Sequence, residues 1–369
     1  MIINNYQRVS RKKIYGASEK QPNIQDQSVH VKGKLMIKAY AAFESGGKLQ
    51  PFEYDPGPLG DHEVEIAIEY CGICHSDLSM LHNAWGITQY PFVPGHEIIG
   101  TIATKGAHVH NLSLGQRVGL GWHSGYCMTC HSCTSGDHNL CAQSESTIVG
   151  RHGGFADKVR ANAASVVALP DSLNAQSAGP LFCGGITVFN PLLQFDVPPT
   201  AKVAVIGIGG LGHIALQFLR AWGCRVTAFT SSSDKKQEAL AMGAHNVLDT
   251  GNPAELAAAT SQFDLILTTV NVALDWNAYI ATLRPKGRLH FLGVPLEPLD
   301  INVFPLISGQ YSVSGSPVGS PASIETMLQF AAQHQIEPII EIFHLDQANE
   351  ALARLTSGHA KYRVVLCNR

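Results

Sequence analysis

Residues 202–222, KVAVIGIGGLGHIALQFLRAW, decide the fold of this chain. The stretch opens with a short apolar run over 203–207 and closes with 211–222, where apolar residues recur at helical spacing. Between them stands a Gly-x-Gly-x-x-Gly turn, whose glycines permit a tight turn, a close approach of pyrophosphate and close packing of helix on strand. The stretch predicts a dinucleotide site with phosphates on the helix N-terminus; a packing turn in an unrelated α/β protein is the alternative.

Strands and helices alternate after this unit. Further strands are predicted at 225–229, 246–249, 264–268, 288–292 and 311–314. Asp234 and Gln237 form a possible capping box for a helix that stops at Gly243. Six strands with intervening helices predict a doubly wound parallel sheet.

The chain on either side of this region has a different pattern. Before about residue 184 the strands are short and alternating, as at 63–70 and 98–102, and glycines are frequent. This pattern favours a β-rich, irregular domain. After 318 the sequence predicts helices at 324–333 and 345–356 and a last strand at 362–367.

The end of the second predicted strand bears on the choice of cofactor. NAD enzymes usually carry Asp or Glu about 20 residues after the glycines, where it binds the ribose hydroxyls. Here Thr230 takes that place, followed by Ser231, Ser232, Ser233, Asp234 and Lys235. Because the acid is missing and hydroxyls and a cation are present, the sequence favours NADP(H) over NAD(H).

Four of the nine cysteines lie close together, and they predict a metal site. Cys127, Cys130, Cys133 and Cys141 fall within one short loop. Four thiolates at this spacing can close a tetrahedral shell and leave no position for a substrate, which indicates a structural zinc. A disulfide or iron–sulfur arrangement is the alternative. His131 and His138 lie in the same loop and are interpreted as solvated residues.

Composition excludes several classes of protein. The chain has 369 residues, 45% hydrophobic and 15% charged, with a formal net charge of -3. This length predicts two domains, and the near-neutral balance offers no basic surface for nucleic acid or an anionic membrane. No apolar run is long enough to span a membrane and no secretory signal is visible, so we expect a cytoplasmic protein. Residues 1–34 are interpreted as a disordered polar extension, an organelle presequence being the alternative.

Taken together, the motifs resemble those of a known family. Cys74-His-Ser-Asp77, Gly95-His-Glu97, the four-cysteine loop, the segment 179–187 and the glycine turn occur in the order found in zinc-containing medium-chain dehydrogenases. Within them the chain is most similar to the cinnamyl alcohol dehydrogenase group and to bacterial NADPH-dependent broad-range aldehyde reductases. The resemblance covers about residues 36–369.

The resemblance implies a fold and a domain division. It implies an α/β protein with a β-rich GroES-like catalytic domain (35–184 and 318–369) and a Rossmann cofactor domain (185–317). The segment after 318 would therefore fold back onto the first domain. A homodimer is the oligomer that the resemblance implies.

The resemblance also implies roles for individual residues. Cys74, His96 and Cys183 would hold a catalytic zinc, with Glu97 as an exchangeable ligand or close neighbour and Asp77 orienting His96. Ser76 would pass the proton to the substrate oxygen. The residues expected to contact the cofactor are Thr187, Gly207, Ile208, Gly209, Gly210, Leu211, Gly212, Thr230, Ser231, Ser232, Ser233, Lys235, Thr269, Gly293, Gly315, Ser316 and Pro317.

Two positions depart from the family pattern. Ser76 stands where threonine is more common, which preserves the hydroxyl. Ser79 stands where many members have histidine, so the proton would leave through a ribose hydroxyl and water, or through another group. His82 is a weak substitute.

The function expected from these features is reduction of several aldehydes to primary alcohols with NADPH, by zinc Lewis-acid catalysis and hydride transfer. Two zinc ions per chain are expected. The alternatives are an alcohol oxidiser of the same group and a catalytically silent protein that binds zinc and nucleotide. The intact set of Cys74, His96 and Cys183 argues against the silent protein.

Overall fold

The computed structural model describes residues 36–231 and 235–368. The expected extension over 1–34, the helix cap at Asp234 and the cofactor contacts of Ser232 and Ser233 lie outside the described residues. Within these ranges no helix is both long and apolar enough to cross a membrane.

The first nine strands pair antiparallel, as the β-rich pattern before residue 184 predicts. They are β1 (Ile37–Ala41), β2 (Gln50–Tyr54), β3 (Glu63–Ile73), β4 (Glu97–Lys105), β5 (Arg117–Leu120), β6 (His123–Gly125), β7 (Glu145–Ser146), β8 (Lys158–Asn162) and β9 (Val166–Ala168). β1 pairs with β2 and β6 with β7, while β3 pairs with both β4 and β8, and β4 continues to β5 and β9. Two short helices interrupt these strands, α1 (His75–Leu81) and α2 (His131–Thr134).

A six-stranded parallel sheet follows and confirms the predicted doubly wound architecture. Its strands are β10 (Lys202–Ile206), β11 (Arg225–Thr230), β12 (Asn246–Asp249), β13 (Phe263–Thr268), β14 (Leu283–Phe291) and β15 (Ser312–Gly315). The spatial order is β12-β11-β10-β13-β14-β15. Because the chain changes direction at β10, the carboxyl ends of β10 and β13 border a crevice, the usual place for a ligand in such sheets.

Helices precede and connect these strands along the chain. They are α3 (Ala175–Ala178), α4 (Gly184–Gln194), α5 (Gly212–Trp222), α6 (Lys235–Ala241), α7 (Pro253–Ala258), α8 (Trp276–Ile280) and α9 (Val303–Gly309). α5 buries its apolar stripe against the sheet and ends at Gly223, whose φ of 103° lies in the left-handed region that glycine adopts at low cost. Phe189 of α4 packs on Phe218 of α5 with ring centroids 5.1 Å apart.

The last segment joins the antiparallel sheet. It contains α10 (Pro321–His334), β16 (Ile340–His344), α11 (Ala348–Thr356) and β17 (Arg363–Cys367). β17 pairs with β16 in parallel and with β3 antiparallel, and its register sets Val364 opposite Ile73. Arg363 therefore lies beside the end of β3, where the sequence enters Cys74.

Two predicted elements differ from the structure by more than a small shift at their ends. β14 begins at Leu283, earlier than the predicted 288, because buried Leu283 pairs with Phe263 despite the turn-forming Pro285 and Gly287 that follow it. The predicted helix 345–356 is divided into a 3-10 turn, Leu345–Gln347, and α11. The other predicted elements differ by a few residues at their ends.

Candidate active site

Four buried side chains from distant parts of the sequence meet at one point, and we call them the buried metal group. They are Cys74, His96, Glu97 and Cys183, whose ligand atoms all lie within 4.8 Å of one another. Cys74 follows β3, His96 directly precedes β4, Glu97 begins β4, and Cys183 precedes α4. The sheet therefore brings together residues that no local spacing connects.

Asp77 fixes the orientation of the histidine. Its Oδ1 lies 3.0 Å from His96 Nδ1 and also accepts from Gly95 N–H at 2.8 Å. Its Oδ2 accepts from Cys74 N–H at 2.9 Å. Because Nδ1 is bound to the carboxylate, Nε2 faces the sulfurs and lies 3.3 Å from Cys183 Sγ. This is the contact that the family resemblance implied.

Glu97 has a partner that sequence analysis missed. Arg363, itself buried, donates from Nη2 to Glu97 Oε1 and to Ile73 O at 3.2 Å. Burial raises the pKa of Glu97, and the Arg363 cation opposes this. Glu97 Oε2 is buried without a hydrogen-bond partner among the described residues. A buried carboxylate oxygen without a partner is costly, so a further ligand for it is expected.

The donor set fits zinc. Zinc–sulfur bonds of about 2.3 Å at tetrahedral angles put two sulfurs about 3.8 Å apart, and Cys74 Sγ and Cys183 Sγ are 3.8 Å apart. The neighbouring Cys183 thiol lowers the pKa of Cys74, which favours the thiolate that a metal binds. Two sulfurs and one imidazole leave a fourth position, which is typical of catalytic rather than structural zinc.

The second candidate metal site lies in a single loop between β6 and β7, and we call it the cysteine loop. Its Cys127, Cys130, Cys133 and Cys141 form the other group of mutually close ligand atoms. Cys127 Sγ is 3.9 Å from Cys133 Sγ and 3.5 Å from Cys141 Sγ, which fits tetrahedral sulfur and is too long for a disulfide. Amide N–H groups of Thr129 and Cys130 lower the pKa of Cys127 to about 6.

The two histidines of this loop lie outside the ligand group. His131 is exposed at the start of α2. His138 is half-buried, with its Nδ1 3.2 Å from Gly136 O and its ring against Tyr126, so it is more enclosed than the solvated residue that the sequence suggested.

A cavity of about 720 Å³ connects the buried metal group with the glycine turn. Cys74, Ser76 and Cys183 line one end. The expected cofactor residues that line it are Thr187, Gly207, Ile208, Gly209, Gly210, Leu211, Lys235, Thr269, Gly293, Ser316 and Pro317. Most of the predicted site is thus brought to one cleft.

Some expected cofactor residues do not line this cavity. Among the described residues they are Gly212, Thr230, Ser231 and Gly315. Gly212 lies behind the turn: a Cβ there would be 1.9 Å from Gly207 O, so its role is the close packing of α5 on β10. Thr230 is buried at the end of β11, in the position that an acid occupies in NAD enzymes.

The cavity is also lined by side chains outside the expected metal and cofactor sets. His75 and Ser79 line it, as do Trp85 and Trp122. The two indoles pack edge to face, with centroids 6.1 Å apart, and Trp122 lies 5.1 Å from the His96 ring. Aromatic side chains at such distances form an apolar wall beside the metal group.

Two other aromatic residues, Tyr90 and Phe304, do not line this cavity. Tyr90 donates its hydroxyl to Leu81 O at 2.9 Å. Phe304 is 80% exposed on α9. His82, the weak substitute for a proton acceptor, does not line the cavity either.

Comparisons with known proteins identify the family of this chain. Residues 60–171 match the family model of the alcohol dehydrogenase GroES-like domain, and residues 210–333 match that of the zinc-binding dehydrogenases. An aldehyde reductase of Synechocystis sp. is 66% identical over 331 residues, which cover 90% of this chain and 98% of that protein.

Two solved structures share the fold. A cinnamyl alcohol dehydrogenase from Sorghum bicolor is 35% identical with a TM-score of 0.87, over 90% of this chain and 98% of that one. A cinnamyl alcohol dehydrogenase from Helicobacter pylori, solved with NADP(H), is 29% identical with a TM-score of 0.83 and the same coverage. With the two family models and the close relative, these similarities show that the chain belongs to the zinc-containing medium-chain alcohol dehydrogenase family.

Proposed function

We propose that this protein reduces a range of aldehydes to primary alcohols with NADPH. The observation that carries the proposal is the single cavity with a thiolate–imidazole group at one end and a glycine turn at the other. An aldehyde between the two would lie within reach of both. The 66% identical relative is named an aldehyde reductase.

Two zinc ions would be held, with different roles. Cys74, His96 and Cys183 would hold a catalytic ion, with Glu97 Oε2 as an exchangeable fourth ligand. Cys127, Cys130, Cys133 and Cys141 would hold a structural ion. The catalytic zinc, when bound, supplies a Lewis acid that polarises the substrate carbonyl.

The side chains of this site would orient groups and move a proton. Asp77 keeps His96 Nε2 directed at the sulfurs. The Ser76 hydroxyl lies 3.7 Å from Cys74 Sγ and lines the cavity, so it is placed to give a proton to the oxygen of the reduced product. From Ser76 the proton path would continue through a ribose hydroxyl and water, because Ser79 offers no imidazole. Trp85 and Trp122 exclude water from the reacting atoms.

NADPH is favoured over NADH by the charges around the glycine turn. Lys235 lines the cavity and its Nζ donates to Ile208 O at 3.2 Å, so a cation is held beside the turn. In the part of the chain that the structure describes, no carboxylate lines the cavity. With Thr230 in the acid position, a 2′-phosphate meets attraction rather than repulsion.

The apolar wall favours a broad range of aldehyde substrates. An apolar cleft discriminates by only about 1–3 kcal/mol per methylene, so straight-chain and aromatic aldehydes would both be accepted. The chemistry at zinc is the same in both directions, so the site itself does not choose between reduction and oxidation. An NADP(H) pool that is kept reduced would set the direction towards reduction of the aldehyde.

A steady-state screen tests the proposal. We would measure kcat/KM at neutral pH for hexanal, benzaldehyde and cinnamaldehyde with NADPH and NADH, and for the matching alcohols with NADP and NAD. We expect the aldehydes with NADPH to give the highest values. Higher kcat/KM values for the alcohols across the set would support the oxidative alternative. Turnover of a single aldehyde would contradict the broad substrate range. No turnover of any substrate would favour the catalytically silent protein.

We also propose the domain division that the resemblance implies: 35–184 with 318–369, and 185–317. It is supported by the pairing of β17 with β3 and by the separate parallel sheet. The cavity would then lie between the catalytic and the cofactor domain.

A homodimer is proposed from an exposed apolar surface at one edge of the parallel sheet. β15 is an edge strand, and α9 beside it exposes Val303, Phe304 and Ile307 by 63%, 80% and 70%. An open strand edge beside exposed apolar side chains is unusual on a monomer, and a second copy related by a twofold axis would cover both. We expect Phe304→Glu to give monomers in light scattering, while Leu114→Glu, at a 63% exposed leucine elsewhere, leaves the dimer intact. A monomeric parent would contradict the proposal.

A further inference from the structure

A buried histidine that the proposed chemistry does not use lies directly behind the glycine turn. His213 is the second residue of α5 and is fully buried. Its Nδ1 lies 3.1 Å from Gly209 O, and its Nε2 accepts from Ile339 N–H at 3.2 Å. The ring also stacks on Tyr362, with centroids 4.8 Å apart.

These two contacts define the tautomer. Because Nε2 accepts a hydrogen bond, the proton of the neutral ring is on Nδ1, which donates to Gly209 O. Burial lowers the pKa of His213 to about 3. A second proton on Nε2 would face the Ile339 N–H, so the neutral ring is the form that joins the two backbones.

Hydrogen bonds continue from the histidine to the buried metal group. Ile339 O accepts from the backbone N–H groups of Tyr362 and Arg363 at 3.1 and 3.0 Å. The Arg363 guanidinium then donates to Glu97. Arg363 also reaches back to the turn, since a Cβ on Gly210 would lie 3.2 Å from its Nη1.

We propose that His213 is a positioning residue: it fixes Ile339 against the glycine turn and thereby sets Arg363 between Gly210 and Glu97. A buried cation placed there faces the phosphate end of the turn and the carboxylate of the metal group at the same time. The inference rests on the proposed dinucleotide site. Its consequence is that cofactor affinity depends on the hydrogen bond between this imidazole and Ile339 N–H.

The two bonds can be removed separately. The amide of asparagine stands where Nδ1–H stands, so His213→Asn retains the bond to Gly209; the longer glutamine reaches the position of Nε2, so His213→Gln retains the bond to Ile339. His213→Phe removes both and keeps a ring against Tyr362. The measurement is the Kd of NADPH for the zinc-loaded protein, from quenching of tryptophan fluorescence, with thermal midpoints recorded beside it.

If His213 joins the two backbones, the three variants should weaken NADPH binding in a characteristic order. We expect His213→Asn and His213→Phe, which both lose the bond to Ile339 N–H, to raise the Kd by about tenfold. His213→Gln should raise it less, because the backbone N–H of residue 213 also donates to Gly209 O, at 3.1 Å, and still ties the residue to the turn. The KM for NADPH should rise with the Kd while kcat changes little. A loss in His213→Gln as large as that in His213→Phe, or an unchanged Kd with a lower thermal midpoint in His213→Asn, would overturn the inference.

Two further variants test the inference without changing the buried histidine, so that a folding defect at His213 cannot be mistaken for the expected effect. Ile339→Pro removes the N–H donor at a 43% exposed position, with Ile339→Ala as its control, and should reproduce the rise in Kd. Gln217→Ala removes a neighbouring bond to Glu337 O that does not touch the turn, and should not. If the parent binds neither dinucleotide, the proposed function fails; if the parent binds NADPH and Ile339→Pro binds equally well, only this inference fails.

Discussion

The cysteine loop and the buried metal group use similar ligands in opposite ways. In the loop, four thiols lie between two short strands, with Cys127 and Cys130 partly exposed and only one turn of α-helix and one 3-10 turn among them. In the buried metal group, the four side chains lie at the ends of β3, β4 and α4, and all of them are buried. Asp77 and Arg363 hold that group from outside.

The difference indicates whether the metal or the surrounding fold would hold each site together. A loop with little core of its own would need the proposed metal to stay folded, as small zinc modules do. A group built on a sheet is positioned by that sheet, so here the fold prepares the site for the metal. On the proposed assignment, the same ligand chemistry would serve stability in one region and reactivity in the other.

The largest effect is expected from the buried metal group. Cys183→Ala should lower kcat/KM for benzaldehyde about 10³-fold or more, because Lewis-acid stabilisation worth several kcal/mol is lost. The thermal midpoint should move little, since the sheet holds the site. Activity assays and calorimetry on the same preparation measure both quantities.

A buried thiol outside both groups provides the control. Cys224 is buried near the start of β11, and Cys224→Ala should keep full activity. If Cys183→Ala instead unfolds the protein while keeping activity per folded molecule, the two regions have been assigned the wrong way round.

The converse change is Cys130→Ala in the cysteine loop. We expect the free energy of unfolding to fall by about 3 kcal/mol, because the variant loses a structural ligand. Metal analysis should find two zinc ions per chain in the parent and one in the variant. Molecules that remain folded should keep their kcat/KM; a parent with one zinc would contradict the comparison.

How far the sequence predicts each region follows from the same difference. The cysteine loop and the glycine turn are local, so spacing alone identified both. The buried metal group was assembled by family resemblance, because its ligands are far apart in the chain. Arg363 was missed altogether: its contact with Glu97 joins residues 266 positions apart, and an arginine at the start of a strand carries no local pattern. His213 was interpreted simply as part of a helix for the same reason.

The cofactor end of the cavity offers a third test, at a position identified from the local sequence. Thr230→Asp should raise the KM for NADPH roughly 100-fold and that for NADH much less, because two negative charges a few ångströms apart repel by about 3 kcal/mol at an effective dielectric constant near 20. Thr230→Asn is the neutral control of equal size. Equal losses for both cofactors would show a packing defect and not a charge effect.

Asp77 tests whether the fold prepares the buried metal group. Asp77→Asn keeps the size but offers one acceptor oxygen to the three donors around it, so His96 loses its fixed orientation. Removing such a support typically costs about 10- to 100-fold in metal affinity or activity. Chelator competition should show one zinc bound more weakly, while the cysteine loop retains its ion. Equal weakening of both ions would mean that the two regions are not independent.

The smallest effect is expected from Ser76→Thr, at a side chain that lines the cavity beside the buried metal group. Ser76→Thr keeps the hydroxyl, so proton transfer should survive, and the added methyl group enters the cavity lined by Trp85 and Trp122. One methyl in an apolar cleft is worth about 1 kcal/mol, which predicts a loss of about fivefold for benzaldehyde and less for the slender hexanal. Ser76→Ala should lower kcat/KM by about 100-fold for both substrates, because it removes the proton donor. The ratio of kcat/KM for the two aldehydes separates these effects: threonine should change the ratio and alanine should not. A threonine variant as poor as the alanine variant would show that the position matters for packing, and the Ser76 hydroxyl would then lose its place in the proton path.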